Sequence, residues 1–342
     1  MSVHQPSCPD CDRNDHALNR RDFVKNAAAA GFAIATASLV DSPLAFPDEK
    51  QKKSSSETLV TQLYKSLNEK QKSACAFSFD HKLRSEIDNN WFITDARIAK
   101  DFDKDQQDLI KQIFISLHSE EYADAVLGQV EHDNGRGGFG GCSIALFGEP
   151  GTGKFEFVFT GRHVTRRCDG DSVEGAAFGG PIFYGHAAKG FNEPPDHPGN
   201  AYWYQAKRAN ELFQALDGKQ RKIALLGDAR PEAQGDTVKL SGKKTGLAGI
   251  PVSELSVDQR ELAEKVMEDV LAPFRKEDRD ESMKLVEVNG FENLHFSYYN
   301  NKDLDVGGDE VWDVWQIEGP AMVWYFRGAP HVHTWVNIRE SV

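Results

Sequence analysis

Leu63-Tyr-Lys-Ser-Leu-Asn-Glu-Lys-Gln71 aligns with Leu212-Phe-Gln-Ala-Leu-Asp-Gly-Lys-Gln220, and this match decides how the rest of the chain is read. Further along, Phe102-Asp-Lys-Asp-Gln-Gln-Asp-Leu109 aligns with Leu255-Ser-Val-Asp-Gln-Arg-Glu-Leu262. In all four segments a short polar residue stands three positions before a glutamine: Asn68/Gln71, Asp103/Gln106, Asp217/Gln220 and Ser256/Gln259. That spacing is a capping box, in which the first side chain accepts an orphan N–H of the first turn and the glutamine reaches back to the cap. Apolar residues follow at helical spacing, as in Leu109, Ile113 and Leu117, and in Leu262, Val266 and Val270. A helix pair therefore opens each half.

Strand-like runs of aromatic and β-branched residues come next: Ser143 to Phe147, Phe155 to Thr160 and His163 to Arg167, then Leu294 to Tyr299, Val311 to Glu318, Ala321 to Phe326 and His331 to Ile338. Gly161 and Gly319 occupy matching places in them. The order of helices then strands predicts an α+β fold. Its expected form is two duplicated α-α-β-β-β units with antiparallel sheets, related by a pseudo-twofold axis. The units span 57–175 and 211–342, joined by a Gly/Pro-rich insertion at 176–210, and a charged, Ser-rich linker at 46–56 precedes them.

Before the linker lies an address. Arg20 and Arg21, in Asn19-Arg-Arg-Asp-Phe-Val-Lys25, precede the mild apolar run Asn26 to Val40, and small residues follow at Ala35-Thr-Ala37 and Ser42-Pro-Leu-Ala45. A basic start, a weakly apolar middle and a small-residue end resemble a twin-arginine export leader over residues 1–45, cut after Ala37 or Ala45. The resemblance implies the twin-arginine translocase as a partner, transport in the folded state, and a periplasmic or extracellular product. Cys8 and Cys11 would leave with the leader. Of Cys75, Cys142 and Cys168 at most two can pair; a Cys142–Cys168 bond is one option in an oxidising compartment, and buried thiols are the expected state.

The chain carries 40 Lys/Arg against 53 Asp/Glu, a net charge of −13. Without residues 1–45 the balance is 36 against 48, or −12. An acidic chain with no basic cluster lacks the footprint of a nucleic-acid or anionic-membrane binder. No second apolar stretch approaches membrane-spanning length.

Two glycine motifs mislead. Gly148-Glu-Pro-Gly-Thr-Gly-Lys154 resembles a phosphate-binding loop, but Phe155 stands where Ser or Thr must hold magnesium, and strand-like residues flank it on both sides. A hairpin turn is expected there, with no nucleotide. Gly135-Arg-Gly-Gly-Phe-Gly140 spells a dinucleotide fingerprint but leads into a strand instead of opening a helix.

The residues that suit chemistry lie elsewhere. His331-Val-His333 sits in an alternating run, so both imidazoles emerge on one face while Val332, Thr334 and Val336 take the other. With His163, three imidazoles suit Zn, Cu or Fe. Glu318, at the related place in the second unit, joins them if the halves pack face to face, as base toward metal-activated water in a hydrolase or as an orienting group in an oxidoreductase. Arg162 and Arg339 are the candidates for clamping a small-molecule carboxylate or phosphate. His186, His197 and His295 read as structural or surface residues. The competing reading is a non-catalytic ligand-binding module whose aromatic cleft is lined by Trp312, Trp315, Trp324 and Trp335.

Phe159-Thr-Gly-Arg-His163, Gly249-Ile-Pro-Val-Ser-Glu-Leu-Ser-Val-Asp-Gln-Arg260, Gln316-Ile-Glu-Gly-Pro320 and His331-Val-His-Thr334 together resemble a bacterial family catalogued as domain of unknown function 3500, over roughly residues 57–340. The middle departs from the family pattern at Gly179-Gly-Pro-Ile-Phe-Tyr-Gly185. The resemblance implies no activity.

Overall fold

The computed structural model describes residues 55–187, 199–300, 311–328 and 331–342. The expected leader, most of the linker and His197 lie outside the described residues. The first half contributes helices α1 (Ser56–Ser66), α2 (Glu69–Cys75), α3 (Ile98–Asp101), α4 (Lys104–Ser116) and α5 (Ala123–Asp133). The second contributes α6 (Tyr204–Ala215), α7 (Gly218–Ala224), α8 (Val257–Leu271) and α9 (Lys276–Asn289). All four expected capping boxes form, at the starts of α2, α4, α7 and α8.

The glutamines do more than cap. Gln71 Nε2 donates to Gln106 Oε1 at 2.7 Å and Gln106 Nε2 donates back to Gln71 Oε1 at 3.1 Å. Gln220 and Gln259 exchange the same two bonds, each at 2.9 Å. Each amide also donates to a nearby carbonyl, of Asp101 and Ser66 in one half and of Glu254 and Ala215 in the other. Four amides, three of them buried, are thereby satisfied, and each pair of helix starts is locked together.

Among the described residues eleven strands form one sheet: β1 (Ala76–Phe77), β2 (Ser143–Gly148), β3 (Phe155–Gly161), β4 (Val164–Cys168), β5 (Ile182–His186), β6 (Leu225–Leu226), β7 (Ile250–Pro251), β8 (His295–Tyr299), β9 (Val314–Gly319), β10 (Met322–Arg327) and β11 (Val332–Ile338). Their spatial order is β1-β2-β3-β4-β5-β11-β10-β9-β8-β6, with β7 paired to β8 off this path. From either edge the path begins with a two-residue strand parallel to its neighbour and continues antiparallel to the centre. The halves thus join edge to edge through β5 and β11, and the face-to-face packing on which a place for Glu318 in the site depended does not occur. The stretch 176–210 is also more than an insertion, because Ile182-Phe-Tyr-Gly-His186 supplies β5. Its alternation buries Tyr184 among the helices while Phe183 points to the opposite face.

Helices cover one face of the sheet. Val60, Leu63, Phe114, Leu212, Val266 and Leu285 pack there with Val332, Val336, Trp315 and Trp324. Chain segments without regular structure cover the other face, bringing Ile87 and Val238 onto Phe183 and Trp335. Trp315, Trp324 and Trp335 are at most 1% exposed and Trp312 packs against the helical core, so these tryptophans serve packing instead of lining an open cleft. Gly148 to Lys154 closes the β2–β3 hairpin, with Glu149 N–H donating to Lys154 C=O at 3.2 Å. Gly135–Gly137 and Phe139–Gly141 make two 3-10 turns ahead of β2. Cys75, Cys142 and Cys168 are buried free thiols, each pushed above the usual thiol range by burial.

Candidate metal centre

Three secondary-structure junctions meet where β4, β5 and β11 lie side by side. The β3–β4 hairpin has a two-residue turn, Arg162-His163, since Gly161 pairs with Val164. Its second residue, His163, has a φ of +57°. A residue with a Cβ in the left-handed region costs roughly 1–2 kcal/mol, and such outliers concentrate where a side chain must be aimed. Two main-chain bonds hold it: His163 N–H donates to Asn89 C=O at 2.8 Å, and Gly185 N–H donates to His163 C=O at 3.1 Å. In the next register, Val332 lies opposite His186 and His333 opposite Gly185. A Cβ on Gly185 would sit 2.2 Å from Val332 O and 3.2 Å from His333 Cδ2. Glycine there lets β5 approach β11 and leaves room for the His333 ring.

One ring nitrogen from each of His163, His331 and His333 lies within 4.8 Å of the others, and the three residues are 0%, 3% and 0% exposed. His163 Nε2 and His331 Nε2 are 3.0 Å apart. Two donors about 2.0–2.1 Å from one ion stand roughly 2.9–3.4 Å apart, between the octahedral and tetrahedral limits. The sequence-derived triad therefore assembles, although His163 lies in a turn and not on a strand.

Two carboxylates stand behind it. Asp133, the last residue of α5, accepts from His163 Nδ1 at 2.7 Å. Glu232 Oε2 lies 2.6 Å from His333 Nδ1, and Glu232 Oε1 pairs with Arg327 Nε at 2.7 Å. Arg327 Nη2 also approaches the same Nδ1, at 2.5 Å; a guanidinium only donates, so Nδ1 is either the acceptor of Arg327 or the donor to Glu232, and the second arrangement leaves Nε2 with a free lone pair. Both rings then present Nε2 inward. His333 Nε2 is buried without a hydrogen-bond partner. The contrast with His118 is direct: that buried ring has its Nδ1 on Phe114 C=O at 2.7 Å and its Nε2 accepting from Arg166 at 2.9 Å. A structural histidine is satisfied at both nitrogens, and His333 is not.

The electrostatics favour neutral imidazoles and an ionised Asp133. Burial lowers all three histidines, His331 and His333 well below the usual range. Neighbouring imidazoles and Arg327 add to this at His331 and His333, whereas Asp133 partly opposes it at His163. For Asp133 burial acts upward, but hydrogen bonds from His132 and His163 outweigh it and hold the carboxyl well below its usual range. Burial pushes Glu232 up against the charge of Arg327.

Glu318 does not join the cluster. It lies on β9 opposite Val323, which faces Asn337 on β11, two strands across and four residues from His333. Four residues alone span about 13 Å. Glu318 instead accepts from Arg230 Nη2 at 3.1 Å and Gln316 Nε2 at 2.7 Å. Arg162 adjoins the triad, its charge acting on His163 and His333. Arg339 does not; its electrostatic neighbours are Arg84, Arg167 and Glu156. His295 Nδ1 is 3.4 Å from Gly249 C=O, away from the site. His186, read from sequence as structural, lies 3.3 Å from Asp133 and belongs to the site's surroundings. Asp133 and Glu232 were missed; the only local signal was the dipeptide His132-Asp133.

These features define an α+β protein whose sheet carries a buried three-histidine cluster backed by carboxylates. The chain belongs to a family described as a protein of unknown function (DUF3500), whose sequence model matches residues 49–340. Comparison with curated proteins and with solved structures returns no match. No helix among the described residues is long and apolar enough to cross a membrane.

Proposed function

We propose that the protein binds one transition-metal ion through Nε2 of His163, His331 and His333. The observation that carries this reading is the buried, unpartnered Nε2 of His333 facing the other two rings, with Nδ1 held by a carboxylate. Carboxylate–histidine–metal relays fix the ring tautomer and raise ligand basicity. Three neutral nitrogens suit Zn, Cu or Fe and leave a coordination position for water or substrate. Bound zinc would supply Lewis-acid chemistry for hydrolysis, and bound copper or iron redox chemistry. Asp133 and Glu232 would orient the ligands, and Arg162 would supply positive charge beside the open position. The reading as an aromatic-cleft binding module loses its support with the burial of Trp315, Trp324 and Trp335.

The recurring Gln–Gln locks and the sheet path that reads alike from both edges support an origin by duplication of one α-α-β-β-β unit, with the pseudo-twofold axis between β5 and β11. Residues 1–45 would act as a twin-arginine leader, carrying the folded and loaded chain out of the cytoplasm. Replacing Arg20 and Arg21 with lysines should leave the chain uncut and inside the cell; unchanged processing would rule that leader out.

The metal reading is tested by elemental analysis after gel filtration without chelator. Wild type should carry about one tight equivalent and His331→Ala/His333→Ala less than about a tenth of one, since two of three ligands are gone. Equal metal content in both proteins overturns the reading.

A further inference from the structure

Outside the triad, a second group of ligating atoms converges on the other oxygen of Asp133. His132 Nδ1 lies 2.9 Å from Asp133 Oδ1 and His186 Nδ1 lies 3.3 Å from the same oxygen, all three atoms being within 4.8 Å of one another. These separations match two donors sharing one ion at about 2.0–2.1 Å. His186 is only 4% exposed, and its Nδ1 is buried without an aligned hydrogen bond, although it stands beside a carboxylate. Oδ1 thus takes a hydrogen bond from His132 Nδ1 and an unaligned approach from His186 Nδ1, contacts that an ion between the three atoms would replace. Among the described residues the remaining contacts of the carboxylate are to Oδ2: His163 Nδ1 at 2.7 Å, and Gln129 Nε2 and Ala187 N–H at 3.3 Å each. Oδ1 is left to the His132/His186 side.

We infer that His132, Asp133 and His186 form a second binding site for a divalent transition-metal ion, distinct from the triad and sharing Asp133 with it. The donor set is two imidazoles and a carboxylate, which suits Zn, Cu, Ni or Fe(II) over Mg or Ca. Geometry makes it a separate mononuclear site. The path from Asp133 through the His163 ring to an ion on its Nε2 adds the 2.7 Å hydrogen bond, about 2.2 Å across the ring and about 2 Å of metal bond, roughly 7 Å in all. Paired catalytic metals stand about 3.5–4 Å apart. The His132 side chain is 43% exposed, whereas His163 and Asp133 are 1% exposed, so the second ion sits on the solvent side of the first. It has as many protein ligands as the triad, but one of them, His132, is half-exposed and less firmly held, hence weaker binding. Because Asp133 backs His163, an ion on Oδ1 withdraws charge from that relay, and occupancy of the outer site should loosen the inner one.

The site stands on its own atoms and does not require the triad to be filled. Equilibrium dialysis against Zn2+, followed by elemental analysis, tests it. Wild type should take two equivalents, the second at least about tenfold weaker, the lower end of what altered ligand support costs. His132→Ala and His186→Ala should each take one tight equivalent, while His331→Ala/His333→Ala retains one weak one. His132 is exposed, so its replacement keeps the test open should His186→Ala fail to fold. Uptake by the His132→Ala protein equal to that of wild type overturns the second site, as does a His331→Ala/His333→Ala protein that takes up no ion. If the triad reading alone fails, wild type and His331→Ala/His333→Ala bind the same number of ions, and the loss in His132→Ala still supports the outer site.

Discussion

The two hairpin turns next to the central strand pair are built alike and furnished differently. Gly161-Arg-His-Val164 closes β3–β4 and Gly319-Pro-Ala-Met322 closes β9–β10, each through a two-residue loop after a glycine. Gly185 N–H donates to His163 C=O at 3.1 Å, and Arg339 N–H donates to Ala321 C=O at 2.9 Å. One turn carries a left-handed histidine and faces two more; the other carries alanine and faces an arginine. A two-residue loop of the same length is thus closed at the other end without histidine and without a left-handed residue at its second position. The presence of histidines at one end, in a strained conformation and out of water, points to chemistry and not to packing.

The same comparison extends into the sheet. The first half buries Glu156 against Arg167 and Arg84, at 2.5 and 3.0 Å, where the second half places Val314 and Tyr325 at the corresponding positions of β9 and β10. Glu156→Gln leaves two guanidinium groups short of their counter-ion and should cost about 3–5 kcal/mol. Copying the second half, with Glu156→Val and Arg167→Tyr together, should cost less than that single change. Denaturant unfolding reads both. If the double variant is the less stable of the two, the ion pair contributes more than its desolvation costs.

Gly185→Ala attacks the seam itself. The added Cβ meets Val332 O, which is main chain and cannot swing away, so β5 and β11 must part. A loss of about 1–3 kcal/mol is expected, the range for overpacking, together with loss of tight metal. A variant that binds metal as wild type would show that the seam does not set the position of His333.

Asp133→Asn keeps the shape of the relay and removes its charge. Tight-metal affinity should fall about 10–100-fold with little change in fold content by circular dichroism. Unchanged affinity would demote Asp133 to packing.

The smallest effect isolates the turn. In metal-free protein, His163→Gly should be more stable than His163→Ala by about 1 kcal/mol, because glycine takes the left-handed region at no steric cost. In the other turn Ala321→His should gain no metal, since no imidazole pair faces it. Metal uptake by that variant would mean the two ends are chemically equivalent after all.

Much of this was legible because it is local. A cap residue and a glutamine three positions later announce a helix start wherever they occur, and all four did so. His331 and His333 alternate with apolar residues, and period-two alternation fixes their common face. Asp133, Glu232 and His186 were not legible, because each reaches the site through long-range pairing: the end of a helix, a segment without regular structure, and a strand hidden in a Gly/Pro-rich stretch. Glu318 was misplaced for a related reason. Matching glycines align the two hairpins in sequence, but the strand register puts Glu318 on β9, two strands across and four residues along from His333.

X-ray absorption at the metal edge of the purified, chelator-free protein tests the central claim most directly. Three imidazole nitrogens at about 2.0–2.1 Å should dominate the first shell, and the signal should vanish in His331→Ala/His333→Ala. A sulfur shell, an all-oxygen shell, or no metal edge above background would contradict the three-histidine centre.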